Sequence, residues 1–317
     1  MRILVTGGNG FVGRALVRAL ARVHTLSVVD NLRFGPLRFD TGLPGVTFQE
    51  ADIRDRHAME RVIDRARPEA IIHAAAIHFI PECDRDPALA VDTNVHGTIN
   101  LLAACPPQCR FVFASSAAVY RSSAGPLVED VSALGPVDVY GLTKAHAEAY
   151  LQTLAPRRGF PAVIVRLFNV AGPGETNPHV LPDIVAQLKA GRTRLRLGSI
   201  AAKRDFIHVD DAAAAFSAAA INGRVLPGEC VTVNAGTGRA HSIREVLDML
   251  SDIIGRRISV ETDDARVRHV DTPLLLCDNS RLQQLFGWRP RHDLASTLRD
   301  LWREPDLPEY LTRPYAE

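Results

Sequence analysis

Four glycines crowded into residues 7–13 constrain this chain more than any other feature. Thr6-Gly7-Gly8-Asn9-Gly10-Phe11-Val12-Gly13 sits between a short β-rich run, Arg2–Thr6, and a helical stretch over Phe11–Arg22. Val12, Leu16, Val17 and Leu20 fall on one face of that helix. Glycines there permit a tight turn and let backbone amides approach a pyrophosphate, which then rests on the helix N-terminus. A glycine-rich turn alone is a weak signal; strand, turn and helix in sequence are a strong one. Asp30 ends a second strand, Leu26–Asp30, 17 residues after Gly13. A carboxylate at that place accepts hydrogen bonds from an adenosine ribose and repels a 2′-phosphate, so the pattern favours NAD over NADP.

Strand-like and helix-like segments alternate through the first half. Further strands are expected at Val46–Glu50, Ala70–Ala75, Phe111–Ala114 and Ala162–Arg166, with helices at Asp55–Arg65, Pro87–Ala104 and Tyr140–Leu154. Strands separated by helices of this length imply right-handed crossovers, and so an α/β fold with a Rossmann-like, doubly wound parallel sheet. After about Asn169 the rhythm becomes irregular, with Gly172-Pro173-Gly174 and Asn177-Pro178 marking turns. Helices resume at Leu181–Ala190, Val209–Asn222 and Ser242–Ile254. Residues 1–168 therefore read as an NAD-binding domain, with part of 205–240 returning to it. Residues 169–317 read as a smaller α/β domain that binds substrate and forms the second wall of a cleft.

Several function classes are disfavoured. A net charge of +1 shows no basic excess for nucleic acid. No stretch approaches the roughly 18 apolar residues of a membrane helix. Gly7, Gly8, Gly10 and Gly13 interrupt any secretory signal. The five cysteines are scattered, and Cys105 and Cys109 lack a second pair to complete a zinc set. Reduced thiols, no metal and a cytoplasmic location are the expectation.

Tyr140 and Lys144 stand i, i+4, on one face of the expected helix. With Gly7-x-x-Gly10-x-x-Gly13 upstream, Tyr140-Gly-Leu-Thr-Lys144 resembles the extended short-chain dehydrogenase/reductase family, and within it the NAD-dependent nucleotide-sugar epimerases and dehydratases. The resemblance runs through nearly the whole chain. It includes Ala51-Asp52-Ile53, His73-Ala74-Ala75-Ala76, Asn94-Val95-His96-Gly97-Thr98, Arg166-Leu167-Phe168-Asn169-Val170 and the run from Arg204 to Asp211.

The resemblance implies the following roles. Gly7, Gly10, Phe11, Val12 and Gly13 cradle NAD; Asp30 and Asn31 face its ribose side, and Asp52 and Ile53 its adenine. Ala74, Ala75 and Asn94 line the cofactor channel, and Lys144 also binds the nicotinamide ribose. Tyr140 removes a sugar hydroxyl proton as hydride leaves for NAD⁺. A free phenol titrates near 10. An ammonium about 4 Å away contributes roughly 4 kcal/mol at an effective dielectric near 20, and the nicotinamide charge acts in the same direction. Together these lower the phenol by up to about three units. Ser116 hydrogen-bonds the reacting oxygen, while Ser115 is structural.

Related dehydratases carry an acidic pair right after the hydroxyl residue, and decarboxylases a Glu just before Val-Tyr. Here Ala117 and Ala118 stand there. The reading therefore shifts to epimerisation at C4 of a nucleotide-diphosphate hexose, UDP-hexose foremost. A 4,6-dehydratase, a decarboxylase or a 4-ketoreductase is the alternative, as is a non-catalytic NAD-binding redox sensor, a class that can dispense with the Tyr/Lys pair.

On the sugar side, the resemblance gives Asn169 to the sugar or diphosphate, Arg204 and Arg268 to the diphosphate, and Asp271 to the nucleoside ribose. Leu275 either faces the C2 substituent or packs in the core. One departure is His78-Phe79-Ile80-Pro81-Glu82-Cys83, which replaces a small, Ser-rich loop; His78 touches cofactor or substrate, or packs. A homodimer is expected through a four-helix bundle, with Ala88, Leu89, Leu101, Leu102, Ala147 and Leu151 giving the helices at 87–104 and 140–154 apolar surface.

Overall fold

The computed structural model describes residues 1–175, 177–263 and 272–304. Six strands lie where the alternation places them: β1 Arg2–Thr6, β2 Thr25–Asp30, β3 Val46–Glu50, β4 Ala70–His73, β5 Arg110–Ser116 and β6 Ala162–Leu167. They pair in parallel with a seventh from the second half, β10 Cys230–Ala235, in the order β10-β6-β5-β4-β1-β2-β3. The order reverses between β1 and β4, and the crevice at the carboxyl ends of such strands is where open α/β sheets bind ligands. Both faces are covered, so the central strands are continuous apolar runs; all four residues of β4 are buried. His73 at the end of β4 is a core histidine, with Nδ1 2.7 Å from Thr6 Oγ1 and Nε2 2.9 Å from Thr98 Oγ1.

Helix α1 (Phe11–Leu20) packs on one face beside a later helix, α8 (Val209–Ile221). The alanines of α8 let the two helices approach closely. On the other face lie α2 (Arg56–Ala66), the segment 87–104 and α6 (Val139–Arg158). The expected helix over Pro87–Ala104 has a wide turn in its middle: α4 (Pro87–Val91), a π-helical turn (Asp92–His96), then α5 (Gly97–Ala104). Such turns are rare and cluster at functional sites. Here the turn carries Asn94 inward. A short helix not expected from the sequence, α3 (Ile80–Arg85), precedes them.

The expected apolar surface holds at Ala88, which is exposed, and in part at Leu89, which is half-buried, but not at the other four residues. Leu101, Leu102, Ala147 and Leu151 are fully buried against the sheet of their own chain, because this face of a parallel sheet needs all of them to cover it. The outer face instead presents Val91, Leu142 and Tyr150, each nearly half exposed.

The irregular second half builds a smaller sheet around β9 (Lys203–His208). It pairs in parallel with β7 (Asn169–Ala171) and β13 (Leu274–Leu275), and antiparallel with β11 (Ala240–Ser242). A separate ribbon joins β8 (Arg194–Leu197) to β12 (Ser259–Thr262). Helices α7 (Val180–Lys189), α9 (Ile243–Ile254) and α11 (Leu294–Arg303) close over an apolar cluster of their own. Helix α9 opens with a reciprocal cap in which Ser242 and Glu245 satisfy each other's backbone amides. Helix α10 (Ser280–Phe286) returns to the large sheet. No helix among the described residues is long and apolar enough to cross a membrane.

Candidate active site

A cleft of about 1220 Å³ runs from the carboxyl ends of β1 and β2 across to the smaller sheet. At its nucleotide end the glycine loop is shaped by sterics. Gly7 has φ +75°, a left-handed conformation open to glycine, and a Cβ there would lie 2.6 Å from Ala75 N. A Cβ on Gly13 would lie 2.0 Å from Gly7 O. Gly10 caps α1 without a side-chain acceptor, and the first turn holds no acidic residue. The helix N-terminus is thus left to an anionic ligand. Gly7, Gly10, Phe11, Val12 and Gly13 all line the cleft, as do Ala74 and Ala75.

Asp30 lines it too. Its Oδ2 accepts from Asn9 N at 2.9 Å and its Oδ1 from Leu32 N at 2.8 Å. The carboxylate thus braces the loop while each oxygen keeps a second lone pair. Burial raises its pKa, opposed by those two amides. Asn31 and Ile53 line the cleft. Asp52 does not: its carboxylate is gripped by Arg54, through Nε at 3.0 Å and Nη2 at 2.8 Å, and held well down, to about 2. Arg54 itself faces the cleft. Asn94 does not line it either. Its Oδ1 accepts from Ile77 N, and its Nδ2 donates to Ile77 O and to Thr143 Oγ1 at 3.0 Å. Asn94 therefore holds the segment that leads from β4 to His78.

At the centre, Tyr140, Lys144 and Ser116 meet in one wall. Asp138 caps α6 by accepting from Gly141 N, which sets the helix start. Ser116 ends β5, and its hydroxyl lies near enough to the Tyr140 phenol to oppose the rise of its pKa. Lys144 stands beside Tyr140 on the same helix, its ammonium held by a backbone carbonyl. Lys144 Nζ donates to Ala114 O at 2.8 Å and lies 5.9 Å from the Tyr140 ring centroid. Burial is the largest influence on the phenol and raises its pKa; the Ser116 hydroxyl opposes it. Burial also lowers Lys144, to about 8.

Behind this wall lies a fully buried ion pair that sequence reading passed over. Glu148, two turns after Tyr140 on α6, binds Arg166 of β6 through Nε at 3.0 Å and Nη2 at 2.7 Å. Ser115 Oγ also donates to Glu148, which gives Ser115 its structural place. No carboxylate occupies positions 117 or 118, both alanine.

At the sugar end, Asn169 starts β7, Arg204 lies in β9 and Leu275 in β13, all facing the cleft. Arg204 Nη1 donates to Thr272 O at 2.6 Å. Leu275 is half-buried and also touches the cluster around Tyr120 and Phe168. Arg268 and Asp271 lie outside the described residues. Two further cleft residues were not singled out from sequence: Glu175 and His179, in the loop between β7 and α7. They stand beside His78, which burial brings down to about 3. An acid and an imidazole within a Gly-Pro-Asn loop were the only signal available.

A glycine turn at the switch point of a parallel sheet, facing a Tyr/Lys helix, defines a dinucleotide-dependent enzyme of the short-chain dehydrogenase type. Comparison with known proteins carries this further. Residues 3–236 match the NAD dependent epimerase/dehydratase family, and the chain belongs to it. It is 30% identical over 319 residues to a UDP-glucose 4-epimerase of Rhizobium meliloti, covering 95% of each chain. It is 30% identical over 314 residues to a GDP-6-deoxy-D-mannose reductase of Pseudomonas aeruginosa, covering 94% of this chain and 95% of the relative. Among solved structures, the UDP-glucose 4-epimerase of Thermus thermophilus in complex with NAD superposes with a TM-score of 0.82 at 30% identity, over 96% of this chain and 98% of the other.

Proposed function

We propose that this chain is an NAD-dependent 4-epimerase of a nucleotide-diphosphate hexose, with a UDP-hexose as the substrate. The observation that carries the reading is the Tyr140–Ser116 pair in the cleft, with alanines at 117 and 118 where elimination of water would need an acid and a base of its own. Bound NAD supplies the acceptor, and then the donor, of the C4 hydride. Tyr140 takes the proton of the C4 hydroxyl, and Ser116 holds the same oxygen so that the proton moves along a short path. The 4-keto sugar turns in the cleft, so that the hydride would return to the opposite face of C4 while Tyr140 gives the proton back to the C4 oxygen. Lys144, held by Ala114 O, would also bind the cofactor ribose. Asn169, Arg204, Arg268 and Asp271 hold the nucleotide diphosphate.

Residues 1–168, with β10, would form the cofactor domain and 169–317 the sugar domain. The protein would be cytoplasmic and a homodimer, with the helices at 87–104 and 139–158 meeting their copies through Val91, Leu142 and Tyr150. A monomer by light scattering at micromolar concentration would sink that assembly.

The relative named as a reductase favours one second reading, a 4-ketoreductase of the same cleft. The two separate in one experiment. Purified protein is incubated with a panel of UDP-, GDP- and dTDP-hexoses without added NADH, and in a parallel arm with their 4-keto derivatives plus NADH, and products are followed by NMR. Interconversion of C4 epimers is expected. Turnover of 4-keto sugars alone, with stoichiometric consumption of reduced cofactor, would overturn the epimerase reading.

A further inference from the structure

His78, Glu175 and His179 come from two different walls of the cleft. His78 follows β4 of the large sheet, in the segment held by Asn94. Glu175 and His179 belong to the loop that leaves β7 of the smaller sheet. Each offers one ligand atom, and these atoms all lie within 4.8 Å of one another. The rings of His78 and His179 face each other at 5.6 Å between centroids, and Phe79 closes one side of His179 at 5.7 Å. Glu175 is 5% exposed, a carboxylate that burial would penalise unless cations or donors surround it. All three residues line the cleft.

From this geometry we infer a divalent-metal site, made by one carboxylate and two imidazoles, that joins the cleft's two walls and keeps a coordination position open to the substrate. Two nitrogens and one carboxylate oxygen suit zinc or another borderline first-row ion, not calcium or magnesium. Three protein ligands with a fourth position facing a cavity is the arrangement of open rather than closed zinc sites. Bonds of about 2.0–2.2 Å to a common ion bring tetrahedral donors to within about 3.6 Å of one another. The observed spread therefore needs a closure of about an ångström, within reach of side-chain rotation on two surface loops. Outer contacts of the kind that orient metal ligands are in place. The Asn177 amide lies 3.1 Å from His78 Nε2, and Asn177 N donates to Glu175 Oε1 at 3.2 Å. The Arg14 guanidinium stands near enough to Glu175 to temper its charge, and it also donates to Gly174 O, which fixes the start of the loop. The cysteines take no part: none of the five is in the group. An ion here would take a water or a sugar oxygen as its fourth ligand, and it would hold the loop after β7 against the one after β4.

The test uses the full chain, stripped with EDTA and titrated with zinc chloride by calorimetry, with metal content read by mass spectrometry. One zinc per chain with a Kd below about 10 µM is expected. Replacing zinc with Co²⁺ should give the visible absorption of a four- or five-coordinate ion. His179→Ala and Glu175→Gln should each weaken binding by about 10–100-fold or more, while the metal-free variants keep the melting temperature of the metal-free parent. If a variant does unfold, His78→Gln provides the same reading from the other wall. Absence of stoichiometric binding in the parent, or equal binding by parent and folded variants, would overturn the site.

Discussion

Two glycines of the same loop should fail in different ways when given a methyl group. At Gly13 the new Cβ falls 2.0 Å from Gly7 O, and 2.8 Å from both the Gly7 carbonyl carbon and Gly8 Cα. Carbon and oxygen settle at about 3.3 Å or beyond, so the helix must withdraw from the loop by about 1.3 Å. All the atoms struck are backbone, and no rotamer can relieve them. Overpacking of this kind costs about 1–3 kcal/mol. At Gly10 the only near atom is Gly7 O, at 3.1 Å, which a shift of a few tenths of an ångström relieves. Gly13→Ala should therefore lower the denaturant midpoint at unchanged slope, equivalent to about 1–3 kcal/mol, and Gly10→Ala should stay within about 0.5 kcal/mol of the parent. Both should weaken NAD binding measured by calorimetry. Gly13→Ala does so by displacing the amides, with the loss of one charge-assisted bond worth about 10–100-fold. Gly10→Ala does so by placing a methyl where the diphosphate approaches. Equal stability of the two variants, or a Gly13→Ala protein that binds NAD as the parent does, would refute the steric account of this turn.

Tyr140→Phe should fold and bind NAD normally while losing about 10²–10⁴-fold in turnover, with Ser116→Ala costing less; near-parental turnover of Tyr140→Phe in the NMR assay would remove it as the base. Burial lowers Lys144 to about 8, so its ammonium is intact at pH 6–7 and is lost as pH rises through 8. Turnover should fall across pH 8–9, and a rate that holds level to pH 10 would contradict this. Leu275→Tyr should depress kcat/KM for N-acetylated nucleotide hexoses more than for plain ones, if the side chain gates the C2 substituent. Equal loss on both, or none, would return Leu275 to the core.

The sequence was most legible where one local rule decides the outcome. The glycine turn, six of the seven large-sheet strands and the helix bearing Tyr140 and Lys144 follow from spacing and turn chemistry, and their observed bounds differ by a residue or a few. Contacts between distant residues were not legible. Nothing local says that Asn94 spends its amide on Ile77 and Thr143. The outer and inner faces of the helices at 87–104 and 139–158 were partly misassigned because both faces are apolar, and a π-turn shifts the register between them. The Lys144–Tyr140 interaction depends on a competing carbonyl, Ala114 O, that only the folded chain brings near. The short strands β7, β11 and β13 are two or three residues long, below the length at which alternation can be read.

Strand β9 has a consequence for how this cleft could be remade. It lies between β11 and β13, with Leu275 opposite Arg204, and pairs farther along with β7, Asn169 opposite Phe206. Its Asp205 carboxylate is wholly buried and accepts from Thr237 N, Gly238 N and Cys277 N, which pins the neighbouring turns. Asn169, Arg204 and Leu275 are thus carried on adjacent rails of one ladder and travel together. A designer seeking a new sugar preference would gain little by altering one of them in isolation, since each sits at a spacing fixed by the other two. Exchanging β7, β9 and β13 with their turns as a single cassette, and leaving α6 untouched, would change the lining of that end of the cleft without disturbing the helix that carries Tyr140.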